Sequence, residues 1–181
     1  MLVITDYRRD RAVSYAKRWA FGRNPLFENY TGIGGDCTNF VSQSIYAGSC
    51  VMNYTPTFGW YYISPADRAA AWTGVQFFYN FITSNTGEGP FGEEVNEGDL
   101  VLGDVIQLSR EDGTFYHTLI VTGFSTDGYL VSAHSDDALD RPLSTYNYAR
   151  ARFIHIEGIR ISIPDRYFPD CYESFISGQR I

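Results

Sequence analysis

Clusters of lysine and arginine are missing from this sequence, and acidic residues outnumber basic ones. The 21 Asp and Glu residues against 14 Lys and Arg residues give a formal net charge of -7 at pH 7. Proteins that bind nucleic acids rely on clustered cations, which neutralise phosphates and release counterions. The composition therefore argues against a nucleic-acid partner.

Cysteine is also scarce, and no long hydrophobic run opens the chain. Three cysteines, Cys37, Cys50 and Cys171, are too few and too scattered for a zinc ribbon or a disulfide scaffold. The segment MLVITDYRRD meets charge at Asp6, so it lacks an apolar stretch long enough for a signal peptide or membrane anchor. We expect no membrane span, and either a cytoplasmic protein or a trimmed portion of an exported one.

The sequence does contain enough apolar material for a full core. Of its 181 residues, 44% are hydrophobic and 17% are aromatic. It has no internal repeat, no low-complexity tract and no linker rich enough to split the chain. We therefore predict a single domain over residues 1–181.

Apolar residues at helical spacing predict three helices in the first half of the chain. The first is expected to run from Asp6, which can cap its free amides, to about Phe21. The second is expected over 37–48, after a turn rich in glycine. The third is expected to begin near Ser64, which forms a capping box with Asp67.

The second half of the chain changes to a strand period. Four segments alternate or run apolar like strands, with REDG and STDG as turns: DVIQLS, TFYHTLIVTG, GYLVSA and RFIHIEGIRI. The preceding segment 87–98, with Glu93, Glu94 and Glu97, is expected to be a solvated acidic loop. The last segment, 164–181, is expected to wrap the surface. Helices followed by a small antiparallel sheet predict an α+β fold.

Cys37 lies in the first turn of the second predicted helix, where a thiol has special chemistry. The helix dipole and its free amides favour negative charge there, so we expect the pKa of Cys37 to be lowered toward thiolate. Gly34 and Gly35 would let a substrate carbonyl approach the backbone N–H of Cys37, which is one half of an oxyanion hole. The residues do not identify the second donor.

A nucleophilic thiolate also needs a histidine base on a rigid element. His117 lies in a predicted strand with Leu119 and Val121 on the same face, and that face is expected to pack on the helices. His134 follows on the next strand and is in register to hold the His117 ring. The nearby carboxylate of Asp136 or Asp137 is the alternative, and we favour His134.

Other interpretations of the same residues lead to different functions. Trp60, Tyr61 and Tyr62 would form the platform of a catalytically inactive module that grips a glycan or peptide. Zinc held by the predicted catalytic cysteine and its two histidines is a third possibility. His155 has no polar neighbour in sequence and is expected to be structural or on the surface.

Three stretches resemble the putative amidase domain family of Gram-positive bacteria, over residues 7 to about 143: YRRDRAVSYAKRWAFGRNPLF, DCTNFVSQSIYAG and GDVIQL…HTLIVTG…AHSDD…RPL. That family is similar to the NlpC-like and CHAP-like branches of the papain-like cysteine hydrolases. The resemblance implies a papain-like fold and a catalytic set that falls on Cys37, His117 and His134. It also implies cleavage of a peptide or peptidoglycan-type amide, without a cofactor, by proteins that are often secreted or associated with the cell wall. This chain shows neither a signal peptide nor a recognisable wall-binding module.

The odd cysteine count gives one further expectation. If Cys37 must stay free, Cys50 and Cys171 are the only pair left, and an exported protein can join them. A Cα separation above about 7 Å would exclude the bridge.

Overall fold

The computed structural model describes residues 1–162 and 170–179, and its elements form the predicted α+β arrangement. The helices are α1 (Arg9–Trp19), α2 (Asp36–Ser49), α3 (Ala70–Thr73), α4 (Val75–Ser84) and α5 (Tyr172–Ser177). The strands are β1 (Leu2–Thr5), β2 (Tyr62–Ser64), β3 (Asp67–Arg68), β4 (Gly89–Val95), β5 (Val105–Ser109), β6 (Phe115–Ser125), β7 (Gly128–Ala133), β8 (Ala138–Pro142) and β9 (Arg150–Ser162). Short 3-10 turns occupy Glu97–Asp99 and Leu143–Thr145. Of the segment expected to wrap the surface, 164–169 and 180–181 lie outside the described residues.

The second predicted helix is confirmed almost to the residue. α2 begins at Asp36, directly after Gly35, whose φ of 97° is a left-handed conformation that favours glycine. A Cβ on Gly35 would also lie only 3.0 Å from the Thr73 carbonyl oxygen. Cys37 is therefore held in the first turn of α2, as predicted.

The other two helices begin later than predicted. α1 begins at Arg9, with Arg8 as an N-cap that makes no side-chain capping bond, so Asp6 does not start it. Ser64 and Asp67 belong to the hairpin of β2 and β3. The Asp67 backbone N–H donates to Ser64 Oγ at 3.1 Å, which is the contact of a capping box used in a turn. The same bond between residues three apart occurs in a helix cap and in a turn, so the spacing alone did not predict the helix correctly.

Within the described residues, seven strands form one antiparallel sheet. β1 and β5 pair with different parts of one edge of β9, and β4 pairs with its other edge. β6, β7 and β8 follow β5 in that order. The four predicted strands are confirmed, while β1, β4 and β8 were not predicted. The acidic loop expected over 87–98 is wrong, because most of it is β4. Glu93 and Glu94 do remain exposed to solvent, although Glu94 accepts a hydrogen bond from Tyr79.

The sheet has an apolar cluster on each face. Val105, Ile120 and Ile154 face the helices and pack with their buried side chains. Leu119 and Val121 belong to the cluster on the opposite face, with Leu143, so the prediction that their face packs on the helices is wrong. Alternation shows which residues share a face, but both faces are buried and the pattern cannot tell which one the helices cover.

The predicted disulfide is present between Cys50 and Cys171, whose Cα atoms are 5.5 Å apart across a sequence separation of 121 residues. It joins the end of α2 to the residue before α5, and Phe175 of α5 packs against Tyr46 of α2. Among the described helices, none is both long and apolar enough to cross a membrane.

Candidate active site

The motif DCTN at the start of α2 joins this helix to the sheet and to the preceding loop. Thr38 Oγ1 lies 2.9 Å from Thr118 Oγ1 on β6, and Gln107 Nε2 donates to Thr118 at 3.1 Å. All three of these side chains are fully buried, so the bonds form away from competing water. Because Thr38 follows Cys37 and Thr118 follows His117, the contact joins the turn that carries the predicted nucleophile to the strand that carries the predicted base.

Asn39 holds the loop that leads into the glycine-rich turn. Its Nδ2 donates to the Glu28 carbonyl at 3.0 Å, and its Oδ1 accepts from Trp72 Nε1 at 3.0 Å. The amide is thus paired at both ends, which fixes the path of the chain in front of α2.

Cys37 is the free cysteine of the described chain, and its side chain is only 5% exposed. Burial raises the pKa of the thiol, and the charge of Asp36 adds to that effect. The Thr118 backbone and the Thr38 hydroxyl lower it, but by less. The predicted depression of the Cys37 pKa is therefore wrong for the resting protein, because burial outweighs the hydrogen bonds that lower the pKa.

His117 packs among aromatic side chains beside the start of β6. Its ring centre is 5.9 Å from that of Tyr116 and 6.0 Å from that of Tyr146. Burial lowers the pKa of His117 to about 4; the charge of Asp136 opposes this shift and that of Arg141 adds to it. At neutral pH the imidazole is thus uncharged and able to accept a proton.

The ring of His134 is held by groups other than His117. Nε2 lies 2.9 Å from the Trp19 carbonyl oxygen, and Nδ1 lies 3.0 Å from Asp36 Oδ2. The second contact has an ion-pair distance but poor hydrogen-bond alignment. The ring also stacks on Phe40 of α2, with centres 4.1 Å apart. The structure therefore brings His134 to the residue before Cys37 rather than to the His117 ring.

Asp36 is a fully buried carboxylate whose oxygens are all but surrounded by donors. Its partners are the Tyr30 backbone N–H at 3.0 Å, Thr31 Oγ1 at 3.2 Å, Asn39 Nδ2 at 3.2 Å, Arg23 Nε at 3.1 Å and His134 Nδ1. Burial by itself raises the pKa of Asp36, but His134, the Tyr30 amide and Asn39 lower it to about 2. The residue is therefore charged at neutral pH.

Arg23 extends this network toward the surface. It forms a bidentate pair with Asp137, at 3.0 Å and 2.9 Å, and donates to Thr31 Oγ1 at 2.9 Å. Asp137 is thereby engaged with Arg23, whereas Asp136 is largely exposed and acts on His117 through its charge. Of the two alternative carboxylates, Asp136 is thus the one with an electrostatic effect on the predicted base.

Tyr146 has a buried hydroxyl without a hydrogen-bond partner in the described part of the chain. The Arg141 guanidinium carbon lies 3.8 Å from the centre of the Tyr146 ring and so covers one of its faces. Unpaired buried polar atoms such as this hydroxyl are rare in folded proteins and call for a ligand or a water.

Tyr116, the neighbour of His117, lines a cavity of about 360 Å3 with Arg110 and Asn147.

The aromatic residues proposed as a binding platform have different surroundings. Trp60 is fully buried and donates to Ser42 Oγ at 3.0 Å, so it belongs to the core and cannot touch a ligand. Tyr62 is partly buried, and its hydroxyl accepts from the Glu28 backbone N–H. Tyr61 is partly buried beside Tyr54. Trp60, the largest of the three residues, therefore cannot belong to the proposed platform.

His155 has a structural environment that resembles that of His134. Its Nδ1 lies 2.7 Å from Asp104 Oδ2, and Asp104 also pairs with Arg9 at 2.6 Å. The polar partner that was missing nearby in sequence is thus 51 residues away. Over residues 1–162 and 170–179, no group of three or more His, Cys, Asp or Glu side chains is arranged to hold a metal ion, so the zinc interpretation gains no support.

Sequence reasoning missed the roles of Asp36, Thr38, Arg23 and Thr118. Asp36 and Thr38 flank Cys37 in the motif, and two polar residues at buried helical positions are a signal for a hydrogen-bonded site. Arg23 and Thr118 carry no such local signal, because each is recognised only by a partner distant in sequence.

A free cysteine in the first turn of a helix, aligned with a strand that carries a neutral histidine, defines a candidate hydrolase site in an α+β domain. Residues 6–157 match the family described as "Putative amidase domain", so the chain belongs to that family. No solved structure matches the chain.

Two proteins of Bacillus subtilis (strain 168) are similar to this chain. The uncharacterized protein YhbB is 35% identical over 120 residues, which cover 64% of this chain and 37% of YhbB. The uncharacterized protein YjcM is 30% identical over 147 residues, which cover 77% of this chain and 33% of YjcM. The chain thus spans about a third of the length of these relatives.

Proposed function

We propose that this protein is a cysteine-dependent amidase or peptidase, with Cys37 as nucleophile and His117 as general base. The observation that carries the proposal is the 2.9 Å contact between Thr38 and Thr118, because it joins the turn that carries Cys37 to the strand that carries His117. Membership of the amidase family supports the reaction class. A papain-like arrangement of helix and sheet is part of the same proposal.

In the proposed reaction the resting site is neutral, with a protonated thiol and an uncharged imidazole. His117 takes the thiol proton as the Cys37 sulfur attacks the amide carbonyl, and it then gives this proton to the leaving amine. Water attacks the resulting thioester, again with His117 as base, and its proton returns to the sulfur when the acid leaves. The backbone N–H of Cys37 would stabilise the oxyanion.

The third polar residue of the site is His134 or Asp136. His134 follows from the family pattern, and Asp136 is favoured by its electrostatic effect on His117. We further propose the unpaired Tyr146 hydroxyl as a donor to bound substrate, because it lies buried beside the His117 ring and lacks a partner of its own. The substrate class we propose is a peptide or peptidoglycan-type amide.

The proposal is tested by incubating the protein with purified peptidoglycan fragments and short peptides and identifying the products by mass. Cys37→Ser keeps the volume of the side chain and should reduce turnover at least about 1,000-fold with an unchanged circular dichroism spectrum. His155→Gln is the matched control, since it alters a partly buried pair outside the site and should retain activity. Full turnover by Cys37→Ser would refute the cysteine mechanism.

A further inference from the structure

We infer that His134 serves the site through Asp36: their ion pair fixes the first turn of α2 and compensates the charge next to Cys37. His134 is then a positioning residue rather than the group that orients His117. The inference rests on the proposed function for its meaning, but its test reads the thiol directly.

His134 lies between groups of different hydrogen-bonding character. Nδ1 faces the Asp36 carboxylate at 3.0 Å, and Nε2 lies 2.9 Å from the Trp19 carbonyl oxygen and 3.3 Å from Arg23 Nη1. A carboxylate can only accept, so the inferred ion pair places a proton on Nδ1. His134 is only 2% exposed, so the pair forms away from solvent.

The strand register separates His134 from His117. Ile120 pairs with Ser132, and continuing that register puts His134 opposite Thr118 on the face that meets the helices. The stacking of His134 on Phe40 of α2 agrees with that face. His117 lies one residue before Thr118 and so shares the strand face of Leu119 rather than that of His134.

The charges around Asp36 are balanced from two sides. Arg23 and the Tyr30 ring face it from the segment that precedes α2, and His134 faces it from the turn after β7. Asp137 neutralises the outer side of Arg23. In the inferred network, Arg23 and His134 offset the charges of Asp36 and Asp137, and loss of either partner leaves a net negative charge beside the thiol of Cys37.

The test uses opposite changes at the two ends of the pair. His134→Gln removes the cation and should raise the pH midpoint of Cys37 alkylation by roughly one unit, whereas Asp36→Asn removes the anion and should lower it by a similar amount. Because the other cysteines form a disulfide, iodoacetamide labelling of the native protein reports on Cys37. If the pair had a purely structural role, the pH midpoint of Cys37 alkylation would shift in the same direction in both variants or in neither.

His155→Gln provides the matched control, because it breaks the similar pair with Asp104 and should leave the alkylation midpoint unchanged. If His134→Gln does not fold, Arg23→Gln makes the same test, since Arg23 Nε is the other cation on Asp36. An upward shift for that variant supports the inference.

The alternative role of His134 gives a different result. If it orients His117, His134→Gln should change the acid limb of kcat/KM and leave the alkylation midpoint unchanged, which would overturn the inference. Absence of turnover by the wild-type protein together with opposite shifts in the two variants would instead reject the proposed function and retain the role of His134.

Discussion

Thr38 and Thr118 share a hydroxyl contact of 2.9 Å, and each follows one of the two residues proposed to carry the chemistry. Neither hydroxyl is exposed, so the contact is a fixed link between α2 and β6 rather than a surface bond. The turn that carries the thiol and the strand that carries the imidazole are therefore joined by a neighbouring pair that takes no part in the proposed reaction.

Thr118→Val is expected to reduce kcat about 10- to 100-fold, because a small displacement of nucleophile and base is costly. Leaving Thr38 and Gln107 without this partner should also lower the free energy of unfolding by about 1–3 kcal/mol. Single-turnover kinetics and urea titration measure the two effects.

Thr122→Val is the control for this substitution. Thr122 is buried on the same strand and contacts Ser132 at 2.8 Å, but it lies away from Cys37. It should show a similar loss of stability with kcat retained. Equal losses of kcat in both variants would contradict the proposed link.

The lowered pKa of His117 predicts that the fold loses stability in acid. Its pKa in the folded state is about 4, below the ordinary value of 6.5, so the unfolded chain binds this proton first as the pH falls. Stability present above pH 6.5 should be lost progressively down to about pH 4, by up to about 3 kcal/mol. The acid limb of kcat/KM should lie near the same lower value.

His117→Gln should flatten this part of the stability profile, measured by urea unfolding between pH 7 and pH 4. Asp36 is not responsible for it, since a carboxyl group with a pKa lowered to about 2 loses its stabilising effect only below its ordinary value of 3.8. An unaltered slope in His117→Gln would show that another group binds the proton.

The disulfide closes a long loop and should contribute substantially to stability. With a sequence separation of 121 between Cys50 and Cys171, its removal should cost about 4–5 kcal/mol in the loop-entropy description. Unfolding in guanidinium with and without a reductant measures this difference. A thiol assay of the denatured protein should count one free thiol before reduction and three after it, and three thiols without reductant would contradict the pairing.

Tyr146→Phe tests the unpaired hydroxyl. Its removal should leave stability unchanged or slightly higher, because no protein hydrogen bond is lost, while KM or kcat worsens if the group binds substrate. Tyr15→Phe is the contrasting variant, since the Tyr15 hydroxyl donates to Gln43 at 2.6 Å and accepts from Asn24. That variant should lose stability. Unchanged kinetics in Tyr146→Phe would remove this residue from the proposed site.

Local signals predicted the elements that depend on local chemistry. The glycine turn before α2 and the alternating strands from Val105 to Ala133 are set by backbone freedom and by period, and both are confirmed. The same signals failed where one local bond serves two structures, as at Ser64, or where an acidic segment pairs as β4 with the distant β9.

The site required information that no local pattern holds. The raised pKa of Cys37 follows from burial by elements folded around it, which the position of the thiol in a first helical turn does not reveal. The partner of His134 is Asp36, nearly a hundred positions away, and the register that decides this contact depends on a bulge near Thr122. Spacing pointed to the residues proposed for the site without deciding which of them meet.

The helix that carries Cys37 is about 21 Å long, from its 14 residues at 1.5 Å each, and it is tethered at both tips. Hydroxyl and carboxylate contacts secure the tip with the thiol, and a covalent bridge secures the far tip at Cys50. A reductant that breaks the disulfide therefore releases one end of α2, and the other end of this helix carries the Cys37 sulfur. The redox state of the surroundings would then determine how rigidly the Cys37 thiol is held.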